Sequence, residues 1–156
     1  MPTPPPSLDA ATHRAMGVGL YNRTWELLEI ANRTEAQDDE LVDTAHASAW
    51  HWRQVGNAAN AARSHWLCAR VYAVLERGEP AAHHAARAVA LVEAGGDGFE
   101  TWDAAAAAEA MTRALRVQGD RDGSARWRER TTALLAVIED ADDREVIERD
   151  LTQIPT

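Results

Sequence analysis

The chain has 156 residues, with 25 acidic against 16 basic side chains, a formal charge of -9 and a single cysteine. That length suits one domain with one core, hiding roughly two thirds of the unfolded surface without staples, and the acidic balance argues against nucleic acid and anionic membrane as partners, since both are held by Lys and Arg meeting phosphates. Cys68 alone makes neither an internal disulfide nor a thiolate metal cluster, so packing is its expected role; with no signal-like start and no apolar run near the ~18 residues of a membrane span, the chain reads as cytoplasmic.

Residues 1–6, MPTPPP, are expected to form a disordered polyproline-like arm, because proline neither enters a helix interior nor donates to a sheet. Residues 7–156 are then one domain. Strand signals are nearly absent, whereas apolar residues recur at spacings of three and four, which predicts an all-α chain of about seven helices. The first should run from near Ser7 to Arg33 through LYNRTWELLEIA, despite Gly17 and Gly19. Thr34 with Gln37 three residues on is a capping-box pattern, so the second helix begins there and runs to about Val55, stopped by Gly56. Asn57 or Asn60 caps the third, WLCARVYAVLERG, which ends at Gly78. Pro80 suits the first turn of a fourth helix closed by Gly95 and Gly96, and Asp97 with Glu100 opens a fifth that reaches Gly119. The segments DRDGSARWRERTTALLAVIED and DDREVIERDLTQI supply the sixth and seventh. Connections of two to four residues make consecutive helices antiparallel neighbours.

Two stretches, WLCARVYAVLERGEPAAHHAARAVAL and AMTRALRVQGDRDGSARWRERTTALL, each give a helix, a Gly-acid turn and a second helix. They resemble the tetratricopeptide repeat: Trp66, Gly78 and Ala82 meet its tryptophan, turn glycine and small residue, as Gly119 and Ser124 do loosely, although the turn glycines lie 41 residues apart against a repeat of about 34. The resemblance implies a right-handed array of stacked antiparallel helix pairs that binds a protein or peptide. A longer likeness, through YNRTWELL, DDE, AHASAWHW and ARVYAVL, is to a family of small helical bacterial proteins; it implies a helical fold, carries no activity with it, and is broken at Ala49 and at Ser64 and His65.

On a wheel of the second helix, Leu41, Ala45, Ser48, Trp52 and Val55 share one arc, which assigns Trp52 to the core. Asp39, Asp43, His46, Trp50 and Arg53 share the opposite arc. Trp50 therefore packs on a neighbouring helix or a second copy of the chain, or it floors a groove; with Asp43, His46, His51 and Arg53 it makes the candidate binding surface. His46 and His51 are about 140° apart around the helix and cannot chelate one ion from that helix alone. The pairs Asp9/His13, Asp43/His46 and Glu79/His83 match chance frequency. In the doublet His83-His84, one ring flanks the core and the other points to water. Cys68 sits mid-helix with nothing to activate it, and no phosphate loop, zinc-protease motif or nucleophile elbow is present. The run Ala104 to Ala108 suits close helix packing or a dimer seam. These observations favour a non-enzymatic interaction module without a cofactor, with a metal- or small-molecule-binding protein built on His46, His51 and nearby carboxylates as the alternative.

Overall fold

The structure, a computed structural model, describes Met1 and residues 7–156; most of the expected arm over 1–6 lies outside the described residues. The described residues form seven helices and no strand, joined by loops: α1 (Ala10–Leu28), α2 (Glu35–Val55), α3 (Ala58–Val74), α4 (Gly78–Ala94), α5 (Asp103–Gln118), α6 (Arg121–Leu135) and α7 (Ala141–Thr152). Successive helices pack against each other from α1 to α7, while α3, α5 and α7 also meet side by side in one layer. None of the helices among the described residues is long and apolar enough to cross a membrane.

Several boundaries follow from local chemistry. Thr34 and Gln37 form both halves of the capping box of α2, and Asn57 and Asn60 do the same for α3. Gly119 takes the left-handed conformation, φ 91°, that ends α5. Three expectations need correction. The first helix stops at Leu28 rather than Arg33, because Thr34 must be extended to cap α2 and Arg33 turns back, donating to the Ile30 carbonyl and pairing with Asp38 at 2.7 Å. The third stops at Val74, and Gly78 opens α4 instead; a Cβ there would stand 2.7 Å from the Gln118 Cα, so only glycine lets α4 begin against the end of α5. The fifth starts at Asp103, not Asp97. The carboxylate of Asp103 accepts from the Glu100 N–H and from Arg63 at 2.9 and 2.8 Å, which holds 95–102 as a loop against the start of α3 and makes that connection longer than expected.

The core falls into three patches. Leu27, Leu41, Ala45, Leu67, Cys68 and Val71 join α1, α2 and α3; six alanines including Ala69, Ala85 and Ala114 join α3, α4 and α5; Ala105, Ala106, Leu135, Ile138 and Ile147 close the C-terminal end. Buried hydroxyls fasten the helix pairs. The Thr24 hydroxyl donates to Thr44 at 2.9 Å and Ser48 to the Gly17 carbonyl, which fixes α1 on α2; Ser124 donates to the Thr112 carbonyl between α6 and α5. Ala105 to Ala108 are buried inside the chain and pack within it rather than forming a seam for a second copy.

Candidate functional site

Two regions gather functional side chains. The first is a groove lined mainly by the odd-numbered helices, with Trp52 of α2 and Trp102 of the loop before α5. A cleft of about 180 Å³ lies between Tyr21 of α1, Trp66 of α3, Ala106 and Glu109 of α5, and Asp143, Val146, Ile147 and Asp150 of α7, with Trp102 at its edge. Next to it a second cleft, about 260 Å³, shares Tyr21 and Trp102 and adds Val18, Trp52, Asn60 and Arg63. The aromatic rings form a chain along this surface: Tyr21 to Trp25 at 6.4 Å, Trp25 to Trp66 at 5.5 Å and Trp66 to Trp102 at 6.3 Å. The guanidinium of Arg63 lies over Trp102 at 4.6 Å. Trp66 buries its indole N–H without an acceptor. Beneath the cleft, Glu109 accepts from Arg113 at 2.8 and 2.6 Å, and Arg70 bridges Glu109 at 3.4 Å and Asp150 at 2.7 Å, tying α3, α5 and α7 together.

The second region lies where α2, α3 and α4 meet. A cavity of about 190 Å³ is lined by His46 and Arg53 of α2, His65 and Cys68 of α3, and His84 and Arg87 of α4. Nδ1 of His65 is 2.9 Å from Nδ1 of His84, and Nε2 of His46 is 2.8 Å from the Tyr72 hydroxyl. The Tyr72 and His84 rings stack at 5.6 Å. Burial pushes His65 and His84 down to about 4, with Arg87 adding to the effect on His65 and His65 on His84; both rings are neutral at pH 7. Burial also lowers His46, and it pushes the Cys68 thiol up to about 12.

The surface expected from Asp43, His46, Trp50, His51 and Arg53 does not come together as one site. His46 and Arg53 line the cavity just described, and Asp43 is exposed on α2. Trp50 and His51 turn toward α1, where His13 Nδ1 meets His51 Nδ1 at 3.0 Å and the Trp50 ring packs on both imidazoles. Trp50 is 44% exposed, in keeping with its place outside the core. Trp52, however, is only half-buried: its ring lies against Gly17 and beneath Arg14 and lines the second cleft, while His51 is buried in its stead. The buried stripe of α2, Leu41, Thr44, Ala45, Ser48 and His51, is turned by roughly 25° from the expected one, because Thr44 and Ser48 are drawn inward by hydrogen bonds to α1.

Three contributors to the histidine cavity carry no mark of a site in the residue pattern, and neither do Tyr21, Trp66 and Trp102 of the groove. Cys68, assigned to packing, does pack in the core and also reaches the histidine cavity; His65 entered only as a break in a likeness; His84 of the doublet is the ring that points to the cavity, while His83 is exposed. The rings converge from three helices, and only a pairing of His65 and Cys68 at helical spacing hinted at it. Comparison of the chain with protein-family models, curated proteins and solved structures returned no match.

Proposed function

We propose that the protein is a non-enzymatic interaction module that takes a peptide segment of a partner protein in its inner groove, in the manner of a tetratricopeptide-like array. The observation that carries this reading is the pair of adjoining clefts sharing Tyr21 and Trp102, walled by α1, α3, α5 and α7 with Trp52 of α2, and lined by aromatic rings. Concave surfaces made by alternate helices of a stacked array are where such proteins hold extended ligands. Val18 and Val146, 45% exposed, stand at opposite ends of the paired clefts as apolar contacts for the segment. The carboxylate of Asp143 on the α7 side, unlike Asp150 outside any ion pair within the described residues, favours a segment that combines an apolar side chain with a basic one.

Selection of linear peptides from a random library, followed by backbone NMR titration of the best binder, tests the proposal. Shifts should cluster on Tyr21, Trp66, Trp102 and α7. Val146→Asp should abolish binding while leaving the melting temperature near that of the parent, and Trp50→Ala should leave affinity unchanged. Binders that shift the Asp43 and Trp50 side of α2 instead, or that tolerate Val146→Asp, would refute the groove as the site.

A further inference from the structure

We infer that His46, Cys68 and His84 form a binding site for a borderline-soft transition metal ion, zinc in the first place, at the junction of α2, α3 and α4. One donor atom from each of the three lies within 4.8 Å of the other two. They are the one such trio of potential ligands among the described residues. Zinc bonds of about 2.0–2.1 Å to nitrogen and 2.3 Å to sulfur put tetrahedral ligands roughly 3.3–3.7 Å apart, so the three close by about an ångström on binding. The movement falls to His46, at the exposed rim, while Cys68 and His84 are held by packing.

The surroundings have the form of a metal site. Ligating histidines keep their second ring nitrogen in a hydrogen bond that sets orientation and tautomer. Here Tyr72 engages Nε2 of His46 and His65 engages Nδ1 of His84, so each ring has one nitrogen already oriented by a neighbour. Two nitrogens and one sulfur suit zinc, copper or cobalt and exclude the oxygen-seeking calcium and magnesium. Three protein ligands leave a fourth position, and the adjoining cavity of about 190 Å³ has room for a water there. Arg53 and Arg87 line the same cavity; their charge opposes a bare dication and favours a ligand set containing thiolate. Binding is therefore written with its proton: the Cys68 S–H bond breaks, a sulfur–metal bond forms, and one proton passes to the buffer for each ion bound.

The His13–His51 pair differs. It brings two imidazoles to 3.0 Å with no third donor among the described residues, which makes it an internal control.

Full-length protein stripped with a chelator and titrated calorimetrically with Zn²⁺ should bind one equivalent at the thiolate site and release about one proton. Loaded with Co²⁺, it should show a thiolate-to-cobalt charge-transfer band with the visible bands of a tetrahedral ion. Cys68→Ser should remove the charge-transfer band, His84→Ala and His46→Ala should weaken Zn²⁺ binding by at least tenfold, and Tyr72→Phe by about tenfold. His13→Ala should leave the band and its affinity unchanged. Because Cys68 belongs to the core, His46→Ala, at the rim, serves as the variant whose fold is safe. A chain that binds no Zn²⁺ at micromolar concentration, a cobalt spectrum without the thiolate band, or full affinity in His46→Ala would overturn the assignment.

Discussion

Replacing Glu109 by Gln tests whether the floor of the inner groove is held by charge. The carboxylate is 2% exposed, takes two bonds from Arg113 at 2.8 and 2.6 Å, and meets Arg70 at 3.4 Å. Breaking a buried pair by neutralising one member costs about 3–5 kcal/mol, mostly because the other charge is left without compensation. Here the loss is only partial. Arg70 keeps Asp150 at 2.7 Å, Arg113 keeps the Asp150 backbone carbonyl at 2.9 Å, and the new amide oxygen still accepts one bond, so the lower end, about 3 kcal/mol, is expected. For a chain of this size that corresponds to a melting temperature roughly 6–12 °C lower. Urea unfolding followed by circular dichroism should show the midpoint fall with no change in slope. The double variant Glu109→Leu/Arg113→Met removes both charges and should lose less than the sum of its single changes. A Glu109→Gln protein within about 1 kcal/mol of the parent, or strict additivity in the cycle, would refute the reasoning.

Two further outcomes follow from the geometry of α2 and of the histidine cavity. Trp52→Ala should destabilise by about 1–3 kcal/mol, less than the roughly 3–5 of a fully buried tryptophan, whereas Trp50→Ala should cost under about 1 kcal/mol; parallel thermal melts in which Trp50→Ala is the worse of the two would invert this ordering. His65 and His84 ionise near 6.5 unfolded and about 4 folded, so protons bind the unfolded chain more tightly. The stability they support is intact above pH 6.5 and is lost as pH falls from there to about 4. Urea midpoints measured between pH 7 and 4 should decline less in His65→Ala/His84→Ala than in the parent, and identical declines would count against neutral rings in the cavity.

What could be read from the sequence is what neighbouring residues decide among themselves. The capping box at Thr34/Gln37 and the end of α5 at Gly119 stand where they were expected, and of the two candidate caps for α3 Asn57 takes the position with Asn60 closing the box; all of these are local, within three residues. The facing of α2 is a different matter, since a criterion of hydrophobicity prefers Trp52 and Val55 to Thr44 and His51. The structure prefers the latter, because their polar atoms find partners on α1 that lie 20 and 38 residues away in sequence. Asp43 and His46 illustrate the converse. They are an obvious pair at helical spacing, yet His46 engages Tyr72 of the next helix instead.

Helix α3 shows why the histidine site stayed hidden in a segment that was otherwise easily recognised as helical. At 100° per residue, Arg63, Trp66 and Arg70 point toward the groove, and His65, Cys68 and Tyr72 lie roughly 160° away around the axis. Between these two stripes, Leu67 and Val71 meet α1 and α2 on one side, and Ala69 and Ala73 meet α4 and α5 on the other. A helix enclosed on every side has no polar face to orient it, so its residue pattern announces burial without saying what each side touches. The same enclosure gives Cys68 two roles that do not compete: its Cβ and sulfur fill the space beside Leu67 and Leu41, and that packing holds the sulfur still at the edge of the cavity where His46 and His84 arrive. Packing of this kind gives a short side chain a fixed direction, so the burial that fits Cys68 for the core would also hold its sulfur in place for the proposed metal ion.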